Sequence, residues 1–114
     1  MAVLTFQDKE LEAFVNDRRK AGNRFRKYAR DRVFYDRLLQ AFQILYSVAS
    51  TDELKPPYTV YSFLKYERLK YMGEDVSSVR VMNGRVERLL FREMNNGIEI
   101  IILELNNTHY GNKK

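Results

Sequence analysis

Cysteine is absent from the 114 residues, so neither a disulfide framework nor a thiolate metal site can form, and the domain needs no oxidising compartment. Histidine occurs once, at His109, and the acidic residues are scattered rather than clustered, so no metal site and no cofactor are expected. Glycine-rich phosphate loops, internal repeats and low-complexity segments are missing too. No apolar run approaches the roughly 20 residues of a membrane span. The longest candidate, Ile98 to Leu105, is interrupted by Glu99 and Glu104. The opening Met1-Ala2-Val3-Leu4-Thr5-Phe6 is too short and too uncharged for a signal peptide before it turns polar at Gln7. A soluble, cytoplasmic protein with no membrane partner is the expectation.

What is present suffices for a core. Hydrophobic residues make up 45% of the chain and aromatic residues 13%, enough apolar surface to offset the entropy of ordering the backbone. With no break in composition, residues 1–114 read as a single domain. The net charge of +5 favours polyanionic partners such as nucleic acid or an acidic protein. Arg18, Arg19, Lys20, Arg24, Arg26, Lys27, Arg30 and Arg32 crowd one stretch with only Asp31 among them. That stretch is either a solvated helix face or a nucleic-acid contact.

Along the chain, Val3-Leu4-Thr5-Phe6 predicts a first strand. Asp8 can cap a short helix whose buried stripe is Leu11, Phe14 and Val15, broken by Gly22-Asn23. From Arg24 to about Ala49 apolar residues recur every three or four positions, predicting one long amphipathic helix. Ser50-Thr51-Asp52 and Pro56-Pro57 then require a loop. Beyond it the period becomes alternating, predicting strands over Val60 to Tyr66 and Ser78 to Met82. Asn83-Gly84 predicts a hairpin into a strand from Arg85 to Glu93. A second turn at Asn95-Asn96-Gly97 leads to a central strand, Ile98 to Leu105, expected to be buried on most of its length. The fold class is therefore α+β: strand, helix, helix, then a mainly antiparallel sheet of three or more strands, helices packed on one face and the other face left for function.

Candidate chemical groups lie in the strand-rich half. They are Glu67 with neighbouring Lys65, Arg68 and Lys70; Arg80; Arg85 and Arg88; and His109-Tyr110. Val79 and Val81 share a face, so Arg80 points with Met82 to the opposite one, as a surface arginine or a functional one. His109 can transfer protons near neutral pH, or be tied to a carbonyl. Tyr110 can stack a base or cover the core.

Taken together, Tyr66-Glu67-Arg68-Leu69-Lys70, Ser78-Val79-Arg80-Val81, Arg88-Leu89-Leu90-Phe91 and His109-Tyr110, in that order, resemble the RelE/ParE superfamily of toxins from type II toxin–antitoxin systems. The similarity is greatest to the YoeB-like branch. It implies a metal-independent, ribosome-assisted endoribonuclease that cuts mRNA and inhibits translation. In that branch the general base is a glutamate before a Leu-Lys step, matching Glu67. An arginine on the next strand matches Arg80, and a terminal His-Tyr pair matches His109 and Tyr110. Glu67 would take the 2′-hydroxyl proton, Arg80 with Arg88 would stabilise the phosphorane, His109 would protonate the leaving 5′-oxygen and Tyr110 would hold a base. The spacing from Arg80 to Arg88 is longer than that branch's pattern, and Gly111-Asn112-Lys113-Lys114 extends past the His-Tyr end. Arg85 can stand in for Arg88, and in a HigB-like branch Lys65 and Arg68 would matter more than Glu67. Lys65, Arg68, Lys70, Arg85 and Arg88 are the expected RNA contacts. The implied partners are a cognate antitoxin, mRNA and the ribosome, in a homodimer or a toxin–antitoxin hetero-oligomer. The same fold also serves a ParE-like gyrase poison or a non-catalytic basic binding module.

Overall fold

The computed structural model describes residues 2–56, 59–73 and 75–107. The first strand, β1 (Val3–Phe6), lies where the sequence predicts it. Helix α1 (Lys9–Asn16) starts at Asp8, whose carboxylate accepts from Leu11 N–H at 3.1 Å and so satisfies one of the free amides of the first turn. The helix ends five residues before the expected Gly22 break, because Asp17 turns extended and its carboxylate caps a 3₁₀ turn over Arg18–Lys20.

The single long helix expected from Arg24 is two helices, α2 (Arg26–Ala29) and α3 (Arg32–Ser47). The hydrophobic period runs through the break. The local chemistry does not: Asp31 leaves helical geometry and its carboxylate accepts from Phe34 N–H at 3.1 Å, making it the N-cap of α3. Helix α3 presents Phe34, Leu38, Phe42 and Leu45 to the core at the spacing of one helical face.

The strand expected over Val60–Tyr66 is absent. That segment holds a 3₁₀ turn, Ser62–Leu64, closed by Lys65 in the left-handed region (φ 52°), and β2 is only Glu67–Arg68. The alternation there marks the half-buried course of a loop, with Leu64 inward and Val60 and Phe63 exposed, rather than a sheet face. Another 3₁₀ turn, Lys70–Met72, leads to β3 (Val76–Arg80), followed by β4 (Arg88–Met94) and β5 (Glu99–Asn106). The Asn83-Gly84 hairpin is a longer loop than expected. Its strands end at Arg80 and restart at Arg88, and only Gly84 of the pair has positive φ. The 95–97 turn is as expected, with all three residues at positive φ.

The five strands form one mixed sheet in the order β1-β5-β4-β3-β2, in which β1 and β5 are parallel and the other pairs antiparallel. This is an α+β architecture. Leu11 and Phe14 of α1 and the buried face of α3 pack with Val79, Leu89, Phe91, Ile100 and Ile102 in the main core. Strand β5 is thus half-buried in alternation rather than buried on most of its length. A second, smaller cluster of Leu69, Val76 and Leu90, flanked by Leu103, lies on the opposite face, so that face is partly roofed near the β2 edge. Met82 joins the main core and not the Arg80 side, because the strand has already ended and alternation no longer governs it. Among the described residues no helix is long and apolar enough to cross a membrane.

Candidate functional site

Register decides which candidate side chains share a face, since residues directly opposite across antiparallel strands project to the same side. Glu67 of β2 lies opposite Ser78 of β3, which lies opposite Leu90 of β4. Two residues along, Arg80 lies opposite Arg88, which lies opposite Asn106 of β5. Leu90 belongs to the cluster away from the helices, so Glu67, Ser78, Arg80 and Arg88 all project from the face that α1 and α3 leave uncovered. By sheet geometry Glu67 and Arg80 are diagonal neighbours, roughly 7–8 Å apart. Three of the residues singled out in the sequence therefore share one face, with Arg80 diagonal to Glu67 and Arg88 one strand further on.

Their surroundings differ. Glu67 is exposed, and its carboxylate has no partner among the described residues. Arg80 is half-buried and donates one guanidinium N–H to Arg85 C=O at 3.0 Å. Arg88 is 9% exposed and donates to Val86 C=O at 3.3 Å. Both arginines thus hold the loop between β3 and β4 from directly opposed positions on the sheet. Ser78, between Glu67 and Leu90, is fully buried, and its Oγ is the one buried side-chain polar atom without a hydrogen-bond partner among the described residues.

The remaining candidates separate from this group. Arg68 alternates away from Glu67 and approaches Glu93 on the helix side, at 4.0 Å. Arg85 is committed to structure: it pairs with Asp31 at 3.0 Å and Glu87 at 3.2 Å, and its guanidinium lies 5.0 Å from the centre of the Phe34 ring. Glu87 also accepts from the Tyr28 hydroxyl at 3.1 Å. Burial pushes the Glu87 carboxyl up, but the Arg85 guanidinium, a backbone amide and Tyr28 together bring it below its ordinary value. Lys70 is exposed beyond β2, and Lys65 sits on the rim of a cleft that Glu67 also lines. His109 and Tyr110 lie outside the described residues.

Much of the basic stretch is spent internally. Arg24 binds Asp8 and Glu10, Arg19 binds Asp17, Arg32 binds Asp36, and Arg18 donates to Ala29 C=O. Lys27 lies over the Tyr28 ring, while exposed Arg30 has no partner among the described residues.

A polar centre that the sequence reading did not identify surrounds Glu93. Its Oε1 accepts from the Thr51 hydroxyl at 2.6 Å, and its Oε2 accepts from the hydroxyls of Tyr66 and Ser77. Burial first, and the bond to Glu93 second, push the Tyr66 hydroxyl up to about 12. The four residues come from four separate segments, so no sequence spacing could reveal them. The nearest signal was the glutamate itself, on a strand that also carries Arg88 and Arg92. With three hydroxyl donors on one carboxylate, the centre ties the β2 edge and the turn after α3 to β4, and it borders a polar cleft of about 490 Å³ that Lys55 and Arg68 also line. Comparison with protein-family models, with curated proteins and with solved structures finds no match to this chain.

Proposed function

We propose that this chain is a toxin of the RelE/ParE type that cleaves mRNA on the ribosome without a metal, with Glu67 as general base and Arg80 and Arg88 as the phosphate-binding pair. One observation carries the reading: Glu67, whose carboxylate has no partner among the described residues, shares with two arginines at directly opposed positions the sheet face away from the helices. RNA supplies its own nucleophile, so the protein need only remove the 2′-hydroxyl proton and stabilise charge on the phosphorus oxygens. Glu67 would perform the first task and the two arginines the second. His109 would return a proton to the departing 5′-oxygen, and Tyr110 would stack a base; both roles rest on the family resemblance alone. The antitoxin would neutralise this positive face or the basic helices.

The test is cleavage of mRNA in a translating extract containing EDTA-treated protein, comparing the chain with Glu67→Gln, Arg80→Ala and His109→Ala. Loss of a general base or acid should slow cleavage by roughly 10²- to 10⁴-fold while the circular dichroism spectrum stays unchanged. Cleavage that survives Glu67→Gln would refute the assignment. RNA binding with no cleavage would indicate a binding module, and trapped gyrase–DNA breaks would indicate the gyrase-poison alternative.

A further inference from the structure

A cleft of about 350 Å³ opens beside Glu67, between the turn after α3 and the start of β2. Its apolar walls are Leu54, Pro56 and the Tyr66 ring. Two of its polar neighbours are already engaged: Thr59 donates to Glu53 C=O, and the Tyr66 hydroxyl is held by Glu93 and Ser77. Three are not. Ser62, Lys65 and Glu67 line the same cleft and have no side-chain partner among the described residues. Lys65 holds φ 52°, a conformation that side-chain-bearing residues seldom adopt, and this places the root of its side chain on the cleft rim where a glycine would satisfy the backbone more easily.

An apolar slot rimmed by a few exposed polar groups with no side-chain partner, at the small end of the roughly 300–1,000 Å³ range of small-molecule sites, fits a planar ring. The Tyr66 ring is fixed by its hydroxyl bonds, so a ring stacked beside it costs little further ordering. Lys65 supplies donors and Ser62 a hydroxyl, which suits a ring edge rich in acceptors. Guanine offers O6 and N7 side by side, the acceptor pair that cationic side chains bind most often. We propose that this cleft is a guanine-binding subsite that holds an RNA base next to the scissile position and so gives cleavage a base preference. The proposal rests on the reading of Glu67 as the reacting carboxylate, but its binding test does not.

The full chain, labelled with ¹⁵N, is titrated with 5′-GMP, 5′-CMP and inorganic phosphate and followed by amide shifts. GMP should shift Ser62, Lys65 and Glu67 saturably, CMP should bind at least five-fold more weakly, and phosphate should leave the cleft amides unmoved. Lys65→Gly removes the ammonium group while suiting the positive φ, so it should keep or raise the melting temperature and weaken GMP by about ten-fold. Equal shifts with phosphate alone, no shifts at the cleft, or unchanged GMP affinity in Lys65→Gly would overturn the subsite. If GMP binds here but Glu67→Gln still cleaves RNA, the catalytic reading fails and the subsite stands. If cleavage depends on Glu67 while GMP ignores the cleft, the reverse holds.

Discussion

Replacing Gly97 by alanine tests the packing around Glu93 most directly. Gly97 has φ +84°, and a Cβ built there would lie 2.1 Å from Thr51 Oγ1, 2.9 Å from Thr51 N and 3.2 Å from Thr51 Cβ. Thr51 is fully buried and cannot swing into solvent. Its N–H donates to Gly97 C=O at 3.1 Å, and its hydroxyl donates to Glu93 at 2.6 Å, so a displaced Thr51 loses both. The left-handed backbone costs a non-glycine residue about 1 kcal/mol. A lost neutral hydrogen bond adds about 1 kcal/mol and a lost bond to a carboxylate about 2 kcal/mol. The variant should therefore be less stable by about 4 kcal/mol, a fall of about 15 °C in Tm for a domain of this size. Gly84→Ala is the control, because Gly84 has the same φ of +84° with nothing within 4 Å of its Cβ. It should lose only about 1 kcal/mol. Urea denaturation of the two variants decides the matter. If they agree within about 1 kcal/mol, the contact with Thr51 contributes nothing and the account of this corner is wrong.

Arg85→Met leaves Glu87 buried opposite no cation and, after discounting for the partial exposure of Arg85, should cost about 2 kcal/mol in denaturant midpoint at pH 7. The folded-state value of Glu87 is depressed, so its contribution is present above the unfolded value and lost as pH falls through the folded one; the gap between Arg85→Met and the parent should close in acid, and a gap that persists at pH 3 would contradict the pairing. Tyr66 behaves oppositely. Its value is raised to about 12, so the stability it gives is complete below pH 10 and lost as pH rises through about 12, a decline that Tyr66→Phe should flatten in denaturation curves recorded between pH 9 and 12. Ser78→Ala removes a buried hydroxyl that has no partner, and should leave stability unchanged or raise it by up to about 1 kcal/mol; a loss greater than that by calorimetry would mean the hydroxyl is bonded after all.

The elements that were legible in the sequence are those whose local chemistry and tertiary environment agree. Asp8 before a Leu11-Phe14 stripe fixed the start of α1, and three turn-forming residues before an Ile-Leu run fixed the 95–97 turn and β5. Two of the errors share a cause. Periodicity continues through Asp31 and through Val60 to Tyr66, and in both places a capping or turn interaction overrides it: the Asp31 carboxylate on Phe34 N–H, and the left-handed Lys65 closing a 3₁₀ turn. For the site, alternation correctly put Arg80 opposite to Val79. It could not show that Arg85 is taken by Asp31 and Glu87, because that pairing joins a loop to a helix cap 54 residues earlier. Nor could it show the four-segment assembly around Glu93.

The partnership of β1 with β5 sets a condition on how this molecule is made. Leu4 finds its place beside Ile100, and among the described residues β1 has no other strand neighbour. A ribosome producing the chain releases β1 long before β5 exists, so the first strand must wait, unmatched, until nearly the whole sheet has been synthesised. Closing so long a loop is entropically unfavourable and slow, so the parallel β1–β5 pairing is the last to form, after the antiparallel β3–β4 and β4–β5 pairings between strands near in sequence.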